Sequence, residues 1–457
     1  MSHITLADFV EITSQKFNVP GVAVGVWAND QEINASHGVT SVENPLPINQ
    51  DTLFLVASVT KTFTATTLMR LVGAEKVELD APVRRYVPEF RLKDRQAADN
   101  ITVLHLLNHT AGLDWRVNAD TGEGDDALGR TVAKVAEMDL IALPGTRPSY
   151  SQAGYDLLGR LIEQVTGQAF EQAVTSLVFE PLGLSHSFFA RDDIMTRRFA
   201  VGHNPGEDGT LSIARPWRHA RGENPGGGLA TSVADLLRFA RFHLGGGRAG
   251  SGEQVLPSNI LHQMQEPTAL LQSSNLGDAI GLGWFLRDVN GVRTAGHGGS
   301  ANGQFAELLL VPERNFAVVS LSNASPGGIP FNQAVLSFAL EHYLGLVDRD
   351  PQPIPFDAAR AEELVGTYAN AMMTFTVDTV GATLRLALRI KPEIRQASEK
   401  APPPDPAPAE FGLLPGSSDE YIITGGEFKG QRGFFTRATS GAVVGVDLGG
   451  RSFSRVH

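Results

Sequence analysis

The chain has 457 residues, 42% of them hydrophobic and 19% charged, the composition of a folded globular protein with room for two or three domains. Its net charge of -12, from 38 basic and 50 acidic residues, argues against nucleic acid and anionic membrane surfaces as partners. It has no cysteine, which excludes a thiol nucleophile, a disulfide framework and a cysteine-ligated metal.

The first residues lack the basic and apolar regions of a signal peptide, and no run reaches the ~18 apolar residues of a membrane span, so the expected compartment is the cytoplasm. Val19 to Trp27 reads as a strand, Asn29-Asp30 as its turn, and Glu32 to Val39 as the returning strand of a hairpin. A helix then leaves Ser58 and ends at Gly73. A helical region punctuated by Pro and Gly runs from about 80 to 191; its clearest helix spans Gln152 to Thr166 and is closed by Gly167. Another helix covers Ser232 to Leu244.

Strand patterns return from Leu282, with Val292 to Ala295, Gly303 to Val311 and Phe316 to Ser322, the last two joined by a Pro312–Asn315 hairpin loop. A helix fits Pro330 to Leu346. Strands near both ends with helices between predict an α+β fold, one sheet built from both termini around an inserted helical part. Residues 351–355, Pro-Gln-Pro-Ile-Pro, read as a linker. Six short strand patterns beyond it make 356–457 a small antiparallel sheet or barrel, interrupted by an extended, mobile Ala401–Pro408 loop. There is no internal repeat.

Ser58-Val-Thr-Lys61 carries the chemistry. If Ser58 opens the helix, Lys61 lies one turn on above the same face, an amine beside a hydroxyl at a helix N-terminus. Serine also caps helices and lysine also decorates them. Here no other lysine has a serine three residues before it, and Phe54, Leu55, Val56, Ala57, Val59 and Phe63 read as buried company for a cation. Tyr150-Ser151-Gln152 stands at the start of the 152–166 helix; a tyrosine there is most often ordinary packing, but Pro148 and the helix would hold this phenol rigidly enough to act as general base. Thr294-Ala-Gly-His297-Gly298-Gly299-Ser300 reads as an edge strand whose glycines invite close approach of another backbone or a ligand, with His297, taken alone, expected as a surface histidine. Asn224-Pro-Gly-Gly-Gly-Leu229 reads as a flexible lead-in to a helix capped by Thr231 or Ser232. His105 and His109 have a zinc-compatible spacing without the H-E-x-x-H glutamate, and are expected to be core or turn histidines. Gly245–Gly250 matches G-x-G-x-x-G in the wrong context, and no G-x-S-x-G occurs.

Together these motifs resemble the serine β-lactamase and penicillin-binding-protein-like superfamily, especially its class C β-lactamase, D-aminopeptidase and family VIII carboxylesterase branch. Ser58-x-x-Lys61 resembles the first family motif, Tyr150-Ser-Gln152 its Tyr-x-Asn motif, and His297-Gly-Gly299 its Lys-Thr-Gly motif in His-x-Gly form. Ile101 to Leu113 and Pro225 to Leu229 are similar to further family segments. The resemblance covers roughly residues 5–345; the C-terminal part resembles the lipocalin-like barrels appended to some D-aminopeptidase-type members. It implies a β-lactamase/transpeptidase-like domain over 1–350 with a helical subdomain at about 80–230, then a β-barrel-like domain over 356–457.

The resemblance further implies that Ser58 forms an acyl-enzyme, that Lys61 and Tyr150 share the proton work, and that His297 orients substrate or assists proton transfer. The N–H groups of Ser58 and Ser300 would form the oxyanion hole. Gln152, Gly298, Gly299 and Ser300 would contact substrate, with no metal or organic cofactor. Two departures lean away from a proficient β-lactamase. Gln152 is one methylene longer than asparagine, and a neutral His297 is a poor anion site. The leading expectation is a carboxylesterase on short or bulky acyl esters with weak β-lactamase activity. The alternatives are a D-amino-acid amidase, a D-aminopeptidase or an acyltransferase of the same machinery and, in a different class, a non-catalytic ligand-sensing or assembly module. The expected partner is a small ester or amide, without nucleic acid or membrane; a homo-oligomer is left open.

Overall fold

The computed structural model describes residues 4–117, 119–206, 208–217, 220–397, 405–416, 418–426 and 428–456. They form two compact units. The first holds Met1–Thr146, Ser151–Thr268 and Ile280–Asp348; the second holds Arg147–Tyr150, Ala269–Ala279 and Arg349–His457.

In the first unit, α1 (Leu6–Lys16) starts on a capping box in which Thr5 and Asp8 serve each other's backbone N–H. The hairpin β1 (Gly21–Ala28) and β2 (Gln31–Gly38) turns on Asn29 and Asp30, both at positive φ. Later come β3 (Phe285–Val289), β4 (Val292–Ala301), β5 (Gln304–Val311) and β6 (Phe316–Ser322). Within this unit the antiparallel sheet runs β2-β1-β6-β5-β4-β3. Val22 of β1 stands opposite Ser322 of β6, so strands from both ends of this unit do share one sheet. Between them in sequence lie α2 (Thr60–Gly73), α3 (Gln152–Thr166) and α4 (Val233–Leu244); α5 (Gly328–Leu344) follows β6.

Val22, Val24 and Val26 of β1 join Phe316 and Val318 of β6 and Phe331 and Val335 of α5 in one apolar cluster. A Cβ on Gly25 would lie 2.6 Å from Leu237 Cδ1, so this glycine lets α4 sit close on β1. The edge-strand expectation for 294–300 is corrected: β4 has β5 on one side and β3 on the other. The short Phe285–Val289 strand that covers it is half apolar and was not separable from its loop by pattern. It pairs only as far as Gly296, and the motif half of β4 continues beyond it along β5.

The second unit is a closed barrel of eight antiparallel strands: β7 (Gly366–Ala369), β8 (Met373–Val380), β9 (Thr383–Ile390), β10 (Ala409–Leu413), β11 (Glu420–Ile423), β12 (Arg432–Arg437), β13 (Val443–Leu448) and β14 (Arg451–Val456). Pairing of Thr367 with Val456 closes it and leaves no open edge. Alternate residues such as Tyr368, Phe375, Val377, Phe411 and Phe435 fill the interior. Strands β10 and β14 are additions to the six read from sequence. Of the expected Ala401–Pro408 loop, residues 401–404 lie outside the described residues, and 405–408 are irregular. Among the described residues no helix is long and apolar enough to cross a membrane.

Candidate active site

A short strand, Phe54–Leu55, pairs with Ala230–Thr231 and delivers the chain into a 3₁₀ turn at Ala57–Val59. Ser58 is thus on a tight turn immediately before α2, rather than the first residue of a regular helix. Ala57 has φ 44°, a left-handed conformation unusual for a residue with a Cβ. Thr60 Oγ1 accepts from Leu229 N–H at 3.1 Å, and Val56 N–H donates to Leu229 O at 3.0 Å, which clamps the turn from both sides.

Lys61, in the first turn of α2, is 0% exposed. Its Nζ donates to Gly226 O at 2.6 Å, to Gln152 Oε1 at 2.8 Å and, more loosely, to Ser58 Oγ at 3.4 Å. Gly226 O and Gln152 Oε1 each hold one Nζ hydrogen, which leaves the remaining position of the head group aimed at Ser58 Oγ. The Tyr155 ring adds its face, with Nζ 5.4 Å from the centroid.

The acceptor on Gly226 comes from the Asn224-Pro-Gly-Gly segment, read from sequence as a flexible lead-in. It is instead a buried helical turn (Asn224–Gly227) whose Pro225 O accepts from Thr64 Oγ1 at 2.6 Å. A Cβ on Gly159 of α3 would collide with Pro225, so glycine there admits the turn. The cap on α4 is Ser232, which accepts from Asp235 N–H at 3.2 Å.

The start of α3 is fixed in detail. Ser151 caps it by accepting from Gly154 N–H, donates its own N–H to His109 Nδ1, and donates its hydroxyl to Asp114 O. Gln152 N–H donates to Trp115 O at 2.6 Å. Tyr150, 9% exposed, groups with the second unit. There its N–H donates to Gly450 O at 2.8 Å, and the Arg451 guanidinium stands 5.9 Å from its ring centroid.

On β4, a Cβ on Gly299 would collide with Val56 O and lie 3.1 Å from Ser58 N, so glycine lets the strand lie against the Ser58 turn. Gly298 faces the other way, where a Cβ would lie 2.7 Å from Glu307 Oε1; burial pushes that carboxyl up to about 7. His297 is buried, with Nδ1 2.7 Å from Gly298 O. Burial, and then the charge of Lys61, bring it down to about 3, so the ring is neutral at ordinary pH. Ser300 is exposed on β4.

The first unit therefore brings together Ser58, Lys61, Gln152, His297 and Gly299. Three further groups stand beside these, none given a site role by the sequence. His109, expected as a core or turn histidine, is buried at φ 59°; desolvation, then Lys61 and His297, hold it well below the ordinary histidine range. Asp156 is buried one turn along α3 from Gln152, and Glu223 pairs with Arg116 at 2.6 Å. The available signal for His109 was its place in the family-like 101–113 segment. His105 instead closes a capping box with Thr102 at the start of the Val103–Leu107 helix.

The family model described as Beta-lactamase matches residues 6–335. Penicillin-binding protein 4 of Amycolatopsis lactamdurans is 34% identical over 362 residues, covering 77% of this chain and 93% of that protein. Esterase EstB of Burkholderia gladioli is 35% identical over 201 residues, covering 40% of this chain and 50% of that protein. The crystal structure of SurE with D-Leu superposes with a TM-score of 0.75 at 25% identity, covering 99% of this chain and 98% of that one.

Proposed function

This chain belongs to the beta-lactamase family, and from that premise we propose that it is a serine hydrolase that cleaves carboxylic esters through an acyl-enzyme on Ser58. The observation that carries the reading is Lys61, wholly buried and directed at Ser58 Oγ. Ser58 Oγ attacks the ester carbonyl carbon, and its proton passes to the amine form of Lys61 as the tetrahedral oxyanion forms, with Tyr150 sharing the proton work. The oxyanion is received by the N–H groups of Ser58 and Ser300, each such donor contributing on the order of 10²–10³ in rate. Collapse expels the alcohol, which takes the proton. Water then attacks the acyl-enzyme by the reverse path, releasing the acid and restoring Ser58.

The neutral, buried His297 supports ester over β-lactam. It offers no positive charge to a substrate carboxylate, though it can orient a carbonyl or an alcohol. The likeness to esterase EstB supports the same choice.

A second reading is favoured by the neighbour crystallised with D-Leu, which is matched over nearly the whole chain, barrel included. In this reading the Ser58 acyl-enzyme carries a D-configured residue, and the chain hydrolyses its amide or passes the acyl group to an amine.

The test compares initial rates of wild type and Ser58→Ala on p-nitrophenyl butyrate. The expected outcome is turnover by wild type and a fall of about 10⁴ or more in kcat for the variant. Normal turnover by folded Ser58→Ala overturns the assignment. Wild-type turnover of D-leucine p-nitroanilide without ester cleavage selects the second reading.

A further inference from the structure

Gln152 touches both Lys61 and a buried carboxyl. Its Oε1 accepts from Lys61 Nζ at 2.8 Å, while its Nε2 donates to Asp156 Oδ1 at 2.9 Å and to Glu223 O at 3.2 Å. The amide lies so closely over Gly226 that a Cβ there would collide with it.

A primary amide can turn over with almost no change in shape, because its oxygen and nitrogen are nearly the same size. Packing alone therefore cannot decide which end faces Lys61. The hydrogen-bond partners can. In the flipped state an NH₂ would face the Lys61 Nζ–H donor, and the amide oxygen would face the Asp156 carboxyl and the Glu223 carbonyl. Donor would meet donor and acceptor would meet acceptor in a buried site, where unpaired polar groups are expensive.

Asp156 is well placed to make that choice. It follows Gln152 by four residues on α3, so both project from one face. It is 1% exposed, and Arg116 holds Glu223 beside it. We propose that Asp156 is a positioning residue for acyl transfer: it fixes the Gln152 amide with its oxygen toward Lys61 and so holds Nζ against Ser58. Burial, reinforced by Glu223 and opposed by Lys61, pushes the Asp156 carboxyl well up. The lock survives protonation, since a neutral carboxyl keeps a carbonyl oxygen that accepts from Nε2. It follows that both ends of Gln152 are engaged within the protein, and that the residue serves Lys61 rather than substrate recognition.

The proposal rests on the Ser58 acyl-enzyme reading, and its test separates the two. The measurement is the second-order rate at which a fluorophosphonate labels Ser58 in the full-length chain. Asp156→Leu and Asp156→Asn are each made in wild-type and Gln152→Leu backgrounds, with thermal melting as the folding control. Asp156→Leu removes the acceptor at similar size and is expected to slow labelling about 10- to 100-fold, the scale of a small misplacement in an active site. Asp156→Asn keeps an acceptor oxygen and is expected to lose far less. In the Gln152→Leu background, Asp156→Leu is expected to add nothing. Wild-type labelling by Asp156→Leu, or an equal further loss in the Gln152→Leu background, overturns the proposal. If the leucine variant does not fold, Asp156→Ala is read by the same criteria. Absence of Ser58 labelling in wild type overturns the underlying reading instead.

Discussion

Two regions of this molecule solve the same problem, an ionisable group buried away from water, in opposite ways. In the first unit Lys61 Nζ donates to three oxygens, on Gly226, Gln152 and Ser58, none of them a carboxylate, and Asp156 stands one amide away behind Gln152. In the barrel Asp419 is held by charges: Arg360 pairs with it at 2.8 Å, and Arg437 pairs with its other oxygen. Burial pushes Asp419 up, but the two guanidinium groups outweigh it and keep the carboxyl below its usual range. A head group bound through neutral oxygens can exchange a proton with the hydroxyl among them. A charge clamped between two permanent cations cannot, and it serves structure. Histidine offers a third solution: His243, 3.2 Å from Thr66 Oγ1, is simply kept neutral, brought down by burial to about 3.

The comparison breaks if the two sites do not separate function from stability. Lys61→Met is expected to lower kcat on p-nitrophenyl butyrate by about 10²–10⁴, the range for removing a proton-transfer group. Its melting temperature should change little, because the desolvation cost of the lysine head is removed while Gly226 O and Gln152 Oε1 lose their donor. A folded Lys61→Met with wild-type kcat would break the functional half.

Asp419→Ala is expected to do the converse. Removing one partner of a buried ion pair costs about 3–5 kcal/mol, and the lower end applies here because both arginines reach solvent. Denaturant unfolding should show that loss while kcat stays at the wild-type value.

The third solution has a pH sign. Between about 3 and the unfolded value of 6.5, the unfolded chain binds a proton at His243 that the folded chain refuses. Stability from this group is therefore present above pH 6.5 and is lost as pH falls toward the folded value. His243→Phe should gain on wild type by up to about 1.4 kcal/mol per pH unit over that window. Glu307 and Asp447, both raised to about 7 by burial, act in the opposite sense, so the difference between variant and wild type is the quantity to follow.

The smallest expected effect sharpens the role of the second unit. Gly450 sits at φ 73° in the β13–β14 turn, and a Cβ there would collide with Leu276. Gly450→Ala should shift the carbonyl that receives Tyr150 N–H. With Tyr150 in the proposed role, kcat should fall about tenfold, or ~1.4 kcal/mol. An unchanged kcat would assign the barrel turn to stability alone.

Much of the architecture was legible because it is local. Ser151 as cap and Gly167 at φ 69° bound α3 where the sequence puts it, and the 316–322 strand is bounded by Asn315, also at positive φ. Alternating patterns separated by turns likewise announced a β domain after residue 355. Strands such as Ala409–Leu413 and Arg451–Val456 were not legible, since short runs take their pairing from partners and not from their own pattern.

What the sequence by itself determined is the Ser58–Lys61 spacing and the helices that carry Lys61 and Gln152, because helical periodicity is a property of neighbouring residues. Only the tertiary structure decided what surrounds Lys61. Its acceptors on Gln152 and Gly226 are 91 and 165 residues away along the chain. The tertiary fold also set the depressed state of His109 and His297 and the place of Asp156 behind Gln152. The reason is physical: burial and electrostatic neighbours shift a group's protonation, and both are set by packing between distant segments.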